Sequence, residues 1–480
     1  MPRASFTFLN HACFLVRTDG ALLVADPWLE GAVFDDAWGL LDTSTSDAAL
    51  IDILNGAGVP VYVWCSRAGP DRLALPFLRR FRSEFRGIAT FLYRPGRDLR
   101  LGEELRRQRL PVAECPDGVT VGLAGGLRLT ALANGDGDTA CLIGCAGRHI
   151  LHLGDRALPT AAACQALAPR IARIAPRIDL LLSSFGTMGW CGNPDGFAVR
   201  ERAARAAIER LAAQIERFRP RLVVPVASFA RFARADNAWL NGGRLSPREV
   251  FENARLEALR GLLRCLAPGD TVDLQHDTPA SLAARHEAAL DHWSACWRNR
   301  PPPLARPPQA SLGELKAAFS RYREGIAASL PALPALLERL GVIRPLLLHL
   351  PDLRQNVELS YRHGLRLRPR GEMERTAAKP GAKPATKPGA PPDANAAAHI
   401  AMFSGTALRL LVAPDGFETV YAGGCFWTLR RSGLSCFGRF FLPQRMGRRG
   451  ADRRRPLAMG GVLWRALLGR MARQLQAALR

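Results

Sequence analysis

Residues 8–38 read FLNHACFLVRTDGALLVADPWLEGAVFDDAW, and the organisation of the chain can be read outward from them. Three β-rich runs, FTFLN (6–10), CFLVRT (13–18) and ALLVADP (21–27), follow one another, and Asp19-Gly20 between the last two is a hairpin-turn pair. Further on, VPVYVWCS (59–66) is a short apolar run with Gly56 and Gly58 before it and Pro60 only near its start, as a buried strand requires. RLALPFLRRF (72–81) is a helix candidate. GIATFLYR, VTVGL, LRLTALAN, TACLIGC and RHILHLGD then read as short strands, and IDLLLSS (178–184) and RLVVPVAS (221–228) as buried ones. Residues 198–218 between those two alternate apolar and Arg/Glu positions at helical spacing. Strands first, then strands interleaved with helices, predict two sheets covered by helices on their outer faces.

A chain of 480 residues is long for one core, so two or three domains are expected. With 48% hydrophobic and 23% charged residues it is ordinary globular material. Its 66 Lys+Arg against 43 Asp+Glu leave +23, which favours polyanionic partners, although Arg, Ala, Gly and Pro richness is also the mark of a GC-rich bacterial genome. The 11 cysteines are odd in number and irregular in spacing, which argues against a disulfide framework. Asn10 and His11 interrupt the N-terminal apolar stretch, so it does not read as a signal peptide. No apolar run is long enough to span a bilayer. A cytoplasmic protein is expected.

The 8–38 stretch resembles the opening of metallo-β-lactamase-fold proteins of the CMP-N-acetylneuraminate-hydroxylase-like branch. There an N/G-H-A turn leads into a strand, a hairpin and a D-P-W-L-x-G-x-x-F element. Three later segments line up in order. CSRAGPDRL (65–73) stands against S-H-x-H-x-D-H-L, and HILHLGD (149–155) against the strand whose terminal Asp is a metal ligand. PVASFARFARADNAWLN (225–241) stands against P-F-A-S-F-x-x-F-x-H-x-E-N-x-x-x-N. The resemblance covers roughly residues 5–250 and implies an α/β fold, the αββα metallo-β-lactamase sandwich.

In that pattern a loop after a strand presents imidazoles and a carboxylate to one point, and the bound metal lowers the pKa of a water toward neutrality. Here the His positions are Arg67, Gly69 and Arg72, and the later one is Arg234. Asp71 and Asp155 are the only ligand positions retained. Asp236 stands at the Glu position, with Asn237 and Asn241 beside it. Guanidinium has no acceptor lone pair, so no metal is expected at this site. The expectation is that Arg67, Arg72 and Arg234 take over the charge of the lost metal and pair with Asp71 and Asp155. Two versions stay open: a closed ion-pair cluster, and an anion site using spare guanidinium donors.

His11 is a further pocket candidate by its place in the N-H-A turn, with a packed structural histidine as the alternative. His149 and His152, three apart on a strand, face opposite sides and cannot share a metal, though His152 is kept as a pocket candidate. Cys141 and Cys145 read as buried thiols. Ser183, Ser184 and Trp190-Cys191 follow a strand and are expected to line the same cleft. No G-x-S-x-G, P-loop or G-x-G-x-x-G motif accompanies a strand–helix unit. The Cys/His pairs of a Rieske module are absent, so sialic acid hydroxylation is not implied.

The expected domains are a metallo-β-lactamase-like domain (1–300), a helical extension (301–375), a disordered Ala/Lys/Pro linker (376–399) and a small basic C-terminal module (400–480). In that module ETVYAGGCFWTL and CFGRFFL read as β-like. A basic amphipathic helix is expected over 457–480 behind Arg448, Arg449, Arg453, Arg454 and Arg455. Three functions remain open. The first is a non-catalytic or metal-independent relative binding an anionic sugar nucleotide, glycan or lipid precursor, with no cofactor. The second is an active zinc- or iron-dependent hydrolase or oxygenase-like enzyme. The third is a scaffold whose residues 448–480 contact anionic membrane at its inner face. No motif supports a specific nucleic-acid reader.

Overall fold

A computed structural model describes residues 3–96, 100–133, 139–154, 158, 160–187, 189–368, 399–430 and 432–448. Asp155, the linker apart from His399, and the basic segment beyond Arg448 with its expected helix lie outside the described residues. The chain divides into two compact units. The first is Met1–Cys191, Phe197–Arg234 and Ala238–Leu304, and the second is Gly192–Gly196, Ala235–Asn237 and Ala305–Arg480.

The first unit is built on two facing sheets. One contains β1 (Ala4–Asn10), β2 (Cys13–Thr18), β3 (Ala21–Ala25), β6 (Val61–Cys65), β7 (Ala89–Tyr93), β8 (Val112–Glu114) and β16 (Thr271–Asp273), in the order β16-β1-β2-β3-β6-β7-β8. The other runs β14-β13-β12-β11-β10-β9, from β9 (Thr120–Gly122), β10 (Arg128–Ala133), β11 (Thr139–Cys145), β12 (Arg148–His152), β13 (Leu180–Ser183) and β14 (Leu222–Pro225). A small third sheet joins β4 (Ala32–Val33), β5 (Trp38–Leu40) and β15 (Ala230–Phe232).

The sequence pattern explains the layers. In β1 the alternate residues Ala4, Phe6 and Phe8 join the core between the sheets, and Phe6 and Phe8 lie opposite Val16 and Phe14 on β2. β3, β6 and β7 are apolar on both faces because both are covered. Leu23, Ala25, Trp64 and Leu92 face the other sheet. On the opposite side Phe91 meets Phe81 of α2 (Leu75–Glu84) edge-on at 5.5 Å. Helices α1 (Asp47–Asn55), α2 and α3 (Arg100–Arg107) connect the parallel strands of this sheet. In the other sheet α4 (Ala161–Ala172) and α5 (Phe197–Phe218) connect the parallel strands β12, β13 and β14. Ile208, Leu211, Ala212 and Ile215 of α5 enter the core at helical spacing. The expected αββα sandwich is therefore what the first unit forms, with α6 (Pro247–Phe251) and α7 (Ala283–Arg298) following β14.

The second unit departs from the reading of a helical extension plus a separate module. Five strands, β17 (Leu346–Leu350), β18 (Gln355–Ser360), β19 (Gly364–Leu367), β20 (Ile400–Ala401) and β21 (Trp427–Thr428), form one sheet in the order β19-β18-β17-β20-β21, so segments on both sides of the linker share it. Its helices are α8 (Leu312–Ser329), α9 (Leu333–Arg339), α10 (Ser404–Val412), α11 (Gly416–Gly423), α12 (Gly433–Phe440) and α13 (Leu442–Arg448). Most of the ETVYAGG run and most of CFGRFFL are helical, not β. Phe417 and Val420, and Phe437, Phe440 and Phe441, fall at helical spacing and bury one face each, which outweighs the β-propensity of aromatic residues. No helix among the described residues is long and apolar enough to cross a membrane.

One close approach fixes the β2–β3 hairpin against the second sheet. Gly125, at φ 60°, sits so near the turn that a Cβ on it would lie 2.7 Å from Gly20 Cα and 2.7 Å from Ala21 N. Gly147 also has positive φ (75°) but meets nothing. Gly125→Ala is expected to cost roughly 2–5 kcal/mol, left-handed strain plus overpacking, and Gly147→Ala only the strain of about 1–2. Urea unfolding of the two variants measures the difference; equal losses would contradict this packing.

Candidate functional site

In the first sheet β3 and β6 run parallel and side by side, with Ala25 opposite Trp64, so the residues that follow each strand meet at one edge. Asp26, in the left-handed region at φ 47°, is fully buried there. Its Oδ1 accepts from Ser66 N at 2.8 Å and its Oδ2 from Ser66 Oγ at 2.7 Å. The loop 66–73 turns back on itself, with Gly69 O accepting from the backbone N of both Arg72 and Leu73. This places two guanidiniums on two carboxylates. Arg67 Nη2 lies 2.5 Å from Asp71 Oδ2, Arg72 Nε 3.4 Å from the same oxygen, and Arg72 Nη1 3.6 Å from Asp26 Oδ2. Asp71 and Asp26 are fully buried, Arg72 is 1% exposed and the Arg67 side chain 16%. A Cβ on Gly69 would stand 2.7 Å from Asp71 Oδ1 and 3.1 Å from Arg67 Nη1, so the closed loop has no room for a larger residue without moving those groups.

Burial is the largest influence on Asp26 and pushes its carboxyl up to about 6, against the pull of Arg72 and the two Ser66 hydrogen bonds; Asp71 adds to the rise. Among the described residues two guanidiniums face two carboxylates in this cluster. The removal of one member would leave a buried charge uncompensated, at a cost of roughly 3–5 kcal/mol.

The other expected site residues go elsewhere. Arg234 is buried, but it donates to Asp35, with Nη1 3.1 Å from both the backbone O and Oδ2. Position in the motif was legible; the direction of the side chain was not. Asp236 accepts from Thr406 Oγ1 at 3.2 Å, and Asn237 Nδ2 donates to Gly423 O at 2.7 Å, both within the second unit. Asn241 clamps β15 by bonding both backbone groups of Phe232. His152 is fully buried in the inter-sheet core, edge-on to Phe14 at 5.1 Å, because its side of β12 faces that core. His11, at φ 41°, is buried edge-on to Trp28, and its carbonyl accepts from Ala227 N. Ser183 Oγ donates to Gln214 Oε1, and Ser228 Oγ accepts from the backbone N of Phe185 and Gly186. Ser183 thus ties β13 to α5, and Ser228 holds the loop after β13. Burial, above all, pushes the thiols of Cys13, Cys65 and Cys141 well up, so they are packing groups.

A second group of cations stands in the first unit without a carboxylate partner among the described residues. Arg231 is 6% exposed, and neither its Nε nor Arg300 Nη1 has a hydrogen-bond partner among the described residues. Arg244 and Arg300 both stack on Trp297, with their guanidinium carbons 5.5 and 4.5 Å from the ring centroid. Burial pulls Arg244 down to about 10, and Arg300 pushes it in the same direction. Burial and then Arg300 likewise lower Arg231. Sequence reading passed over this trio because Arg is frequent throughout the chain. Asp26 and Ser66 were also missed as partners, although the Asp-Pro step directly after a buried strand marks where a carboxylate is forced to turn.

No protein-family model matches the chain. It is similar to the cytidine monophosphate-N-acetylneuraminic acid hydroxylase of Danio rerio, 23% identical over 291 residues, or 56% of this chain and 46% of that protein. The chain thus spans less than half the length of that relative. Solved structures similar to it include the metallo-β-lactamase fold protein YhfI of Bacillus subtilis, 11% identical with a TM-score of 0.32 over 57% of this chain and 100% of that one. Another is Zn(2+)-bound PqqB of Methylobacterium extorquens, 13% identical with a TM-score of 0.33 over 55% of this chain and 86% of that one. The strand order and helix-covered faces described above make the first unit a metallo-β-lactamase-type sandwich.

The buried carboxyl gives a pH signature. Its folded pKa, about 6, is above the ordinary 3.8, so the folded state holds the proton more tightly. Stability from this group is complete below about pH 4 and is lost as pH rises through 6, on the order of 3 kcal/mol. Unfolding free energies measured from pH 4 to 7 should show this decline in the natural protein and a flatter profile in Asp26→Asn; parallel profiles would contradict the assignment.

Proposed function

We propose that this metallo-β-lactamase-fold chain performs no metal-dependent hydrolysis at the fold's usual centre. The observation that carries this reading is the set of ion pairs joining Arg67 and Arg72 to Asp71 and Asp26. Guanidiniums stand where the resembled pattern puts imidazoles, and they occupy the carboxylate a metal would use. A cation there would have to displace two fixed positive charges from a buried site. Of the two versions left open by the sequence, the closed cluster is favoured, since both guanidiniums already face buried carboxylates. Purified full-length protein equilibrated with zinc and then desalted is the test. Its metal content should be unchanged by Asp71→Asn or Asp26→Asn. Metal that disappears with either substitution would overturn the reading.

A second reading, binding of an anionic small molecule, is favoured by Arg231, Arg244 and Arg300. Arg231 and Arg244 are buried and Arg300 partly so; guanidiniums withdrawn from water with no counter-charge among the described residues are costly, and a phosphate or carboxylate would satisfy them with bidentate bonds. Inorganic phosphate is expected to raise the melting temperature, by the equivalent of about 2.7 kcal/mol at a hundred times its dissociation constant. Arg300→Met and Arg231→Met should abolish that gain. Equal stabilisation of the variants would remove the trio as the anion site.

A further inference from the structure

Asp42, His292 and Cys296 bring three different donor atoms to one point. His292 Nε2 lies 2.9 Å from Asp42 Oδ2, Cys296 Sγ 3.9 Å from that oxygen and 3.7 Å from that nitrogen. His292 and Cys296 are one helical turn apart on the same face of α7. Trp293 next to them fixes the rotation of the helix: it is fully buried, its Nε1 donates to Leu266 O at 2.8 Å, and it stacks on Phe229 at 4.1 Å. Asp42 follows β5 and is pinned from the other side. Its backbone O accepts from Asn10 Nδ2 at 3.0 Å, and its Oδ1 accepts from both Ser44 N and Ser44 Oγ, at 2.8 and 2.6 Å. That leaves Oδ2 aimed at the histidine and cysteine. Asp42 is 5% exposed and the His292 side chain 34%, so the point of convergence is buried on one side and reachable from solvent on the other.

The arrangement is not that of a nucleophilic Cys-His-Asp relay. A relay needs the two ring nitrogens to face the two partners, one each. Here the same Nε2 faces both oxygen and sulfur. Three atoms gathered round one point are what a metal requires. Tetrahedral zinc with ordinary bond lengths would set O and N about 3.3 Å apart and either of them about 3.5 Å from the sulfur. The observed spacings need shifts of only a few tenths of an ångström. We propose that Asp42, His292 and Cys296 bind a divalent transition-metal ion, zinc by the mixture of carboxylate, imidazole and thiolate, with a fourth position open to solvent. The Ser44 bonds are the supporting shell that fixes the carboxylate. The site shares no residue with the Arg67–Asp71–Arg72–Asp26 cluster, so it can fail or stand independently of the reading above.

Cobalt(II) titrated into the full-length protein is the test, because a bound thiolate gives a charge-transfer band that oxygen and nitrogen ligands alone do not. One equivalent should produce the band, and zinc should bleach it. Cys296→Ser should abolish the band, while Cys436→Ser and Asp71→Asn should keep it. Ser44→Ala should weaken metal affinity by about 10–100-fold. The absence of a thiolate–cobalt band in the natural protein overturns the proposal whatever the variants do. So does a band that persists in Cys296→Ser with the circular dichroism spectrum of the natural protein.

Discussion

A carboxylate buried at the end of a strand has to be satisfied, and in this protein that carboxylate is Asp26. It sits where β3 stops, beside the end of β6, because parallel pairing sets the two strand ends level. Ser66 gives it two hydrogen bonds and Arg72 a guanidinium, and Arg72 is held in turn by Asp71, which also holds Arg67. The loop 66–73 is closed by this chain of charges. Whatever chemistry the edge of the sandwich performs, it starts from buried carboxylates that guanidiniums already hold.

Pairing with acids separates the two arginine groups. Arg67 and Arg72 are matched by acids, and Arg234 is matched by Asp35. Arg244 and Arg300 are held against rings and Arg231 by burial, with no acid among the described residues. In the function proposed above, the first group stands in for a metal and the second takes an anion. A large positive net charge on the chain does not distinguish them, since charge counted along a sequence says nothing about pairing in space.

Much of the sandwich was legible. The Asp19-Gly20 turn, the β-rich run at 6–10, and the apolar runs at 21–25 and 61–65 each carry a local physical cause that the structure keeps. The 66–73 loop was legible as a site for the same reason that its histidines were visibly missing. What was hidden depended on direction or on distance along the chain. Motif alignment puts Arg234 at a metal-ligand position, yet its side chain turns to Asp35. Asp42 and Cys296 lie 254 residues apart, so only the fold reveals them as neighbours. The second unit was misread because its aromatic residues favour strands when counted singly and form helix faces when their spacing is respected.

The central claim is that the sandwich has exchanged the metal of its usual centre for buried ion pairs. Crystals grown with zinc, with anomalous scattering recorded on both sides of the zinc edge, test it most directly. The account predicts no anomalous peak within ligand distance of Asp26 or Asp71, and continuous density joining Arg72 to both. A zinc peak bonded to either carboxylate, with Arg67 and Arg72 turned away, would contradict it.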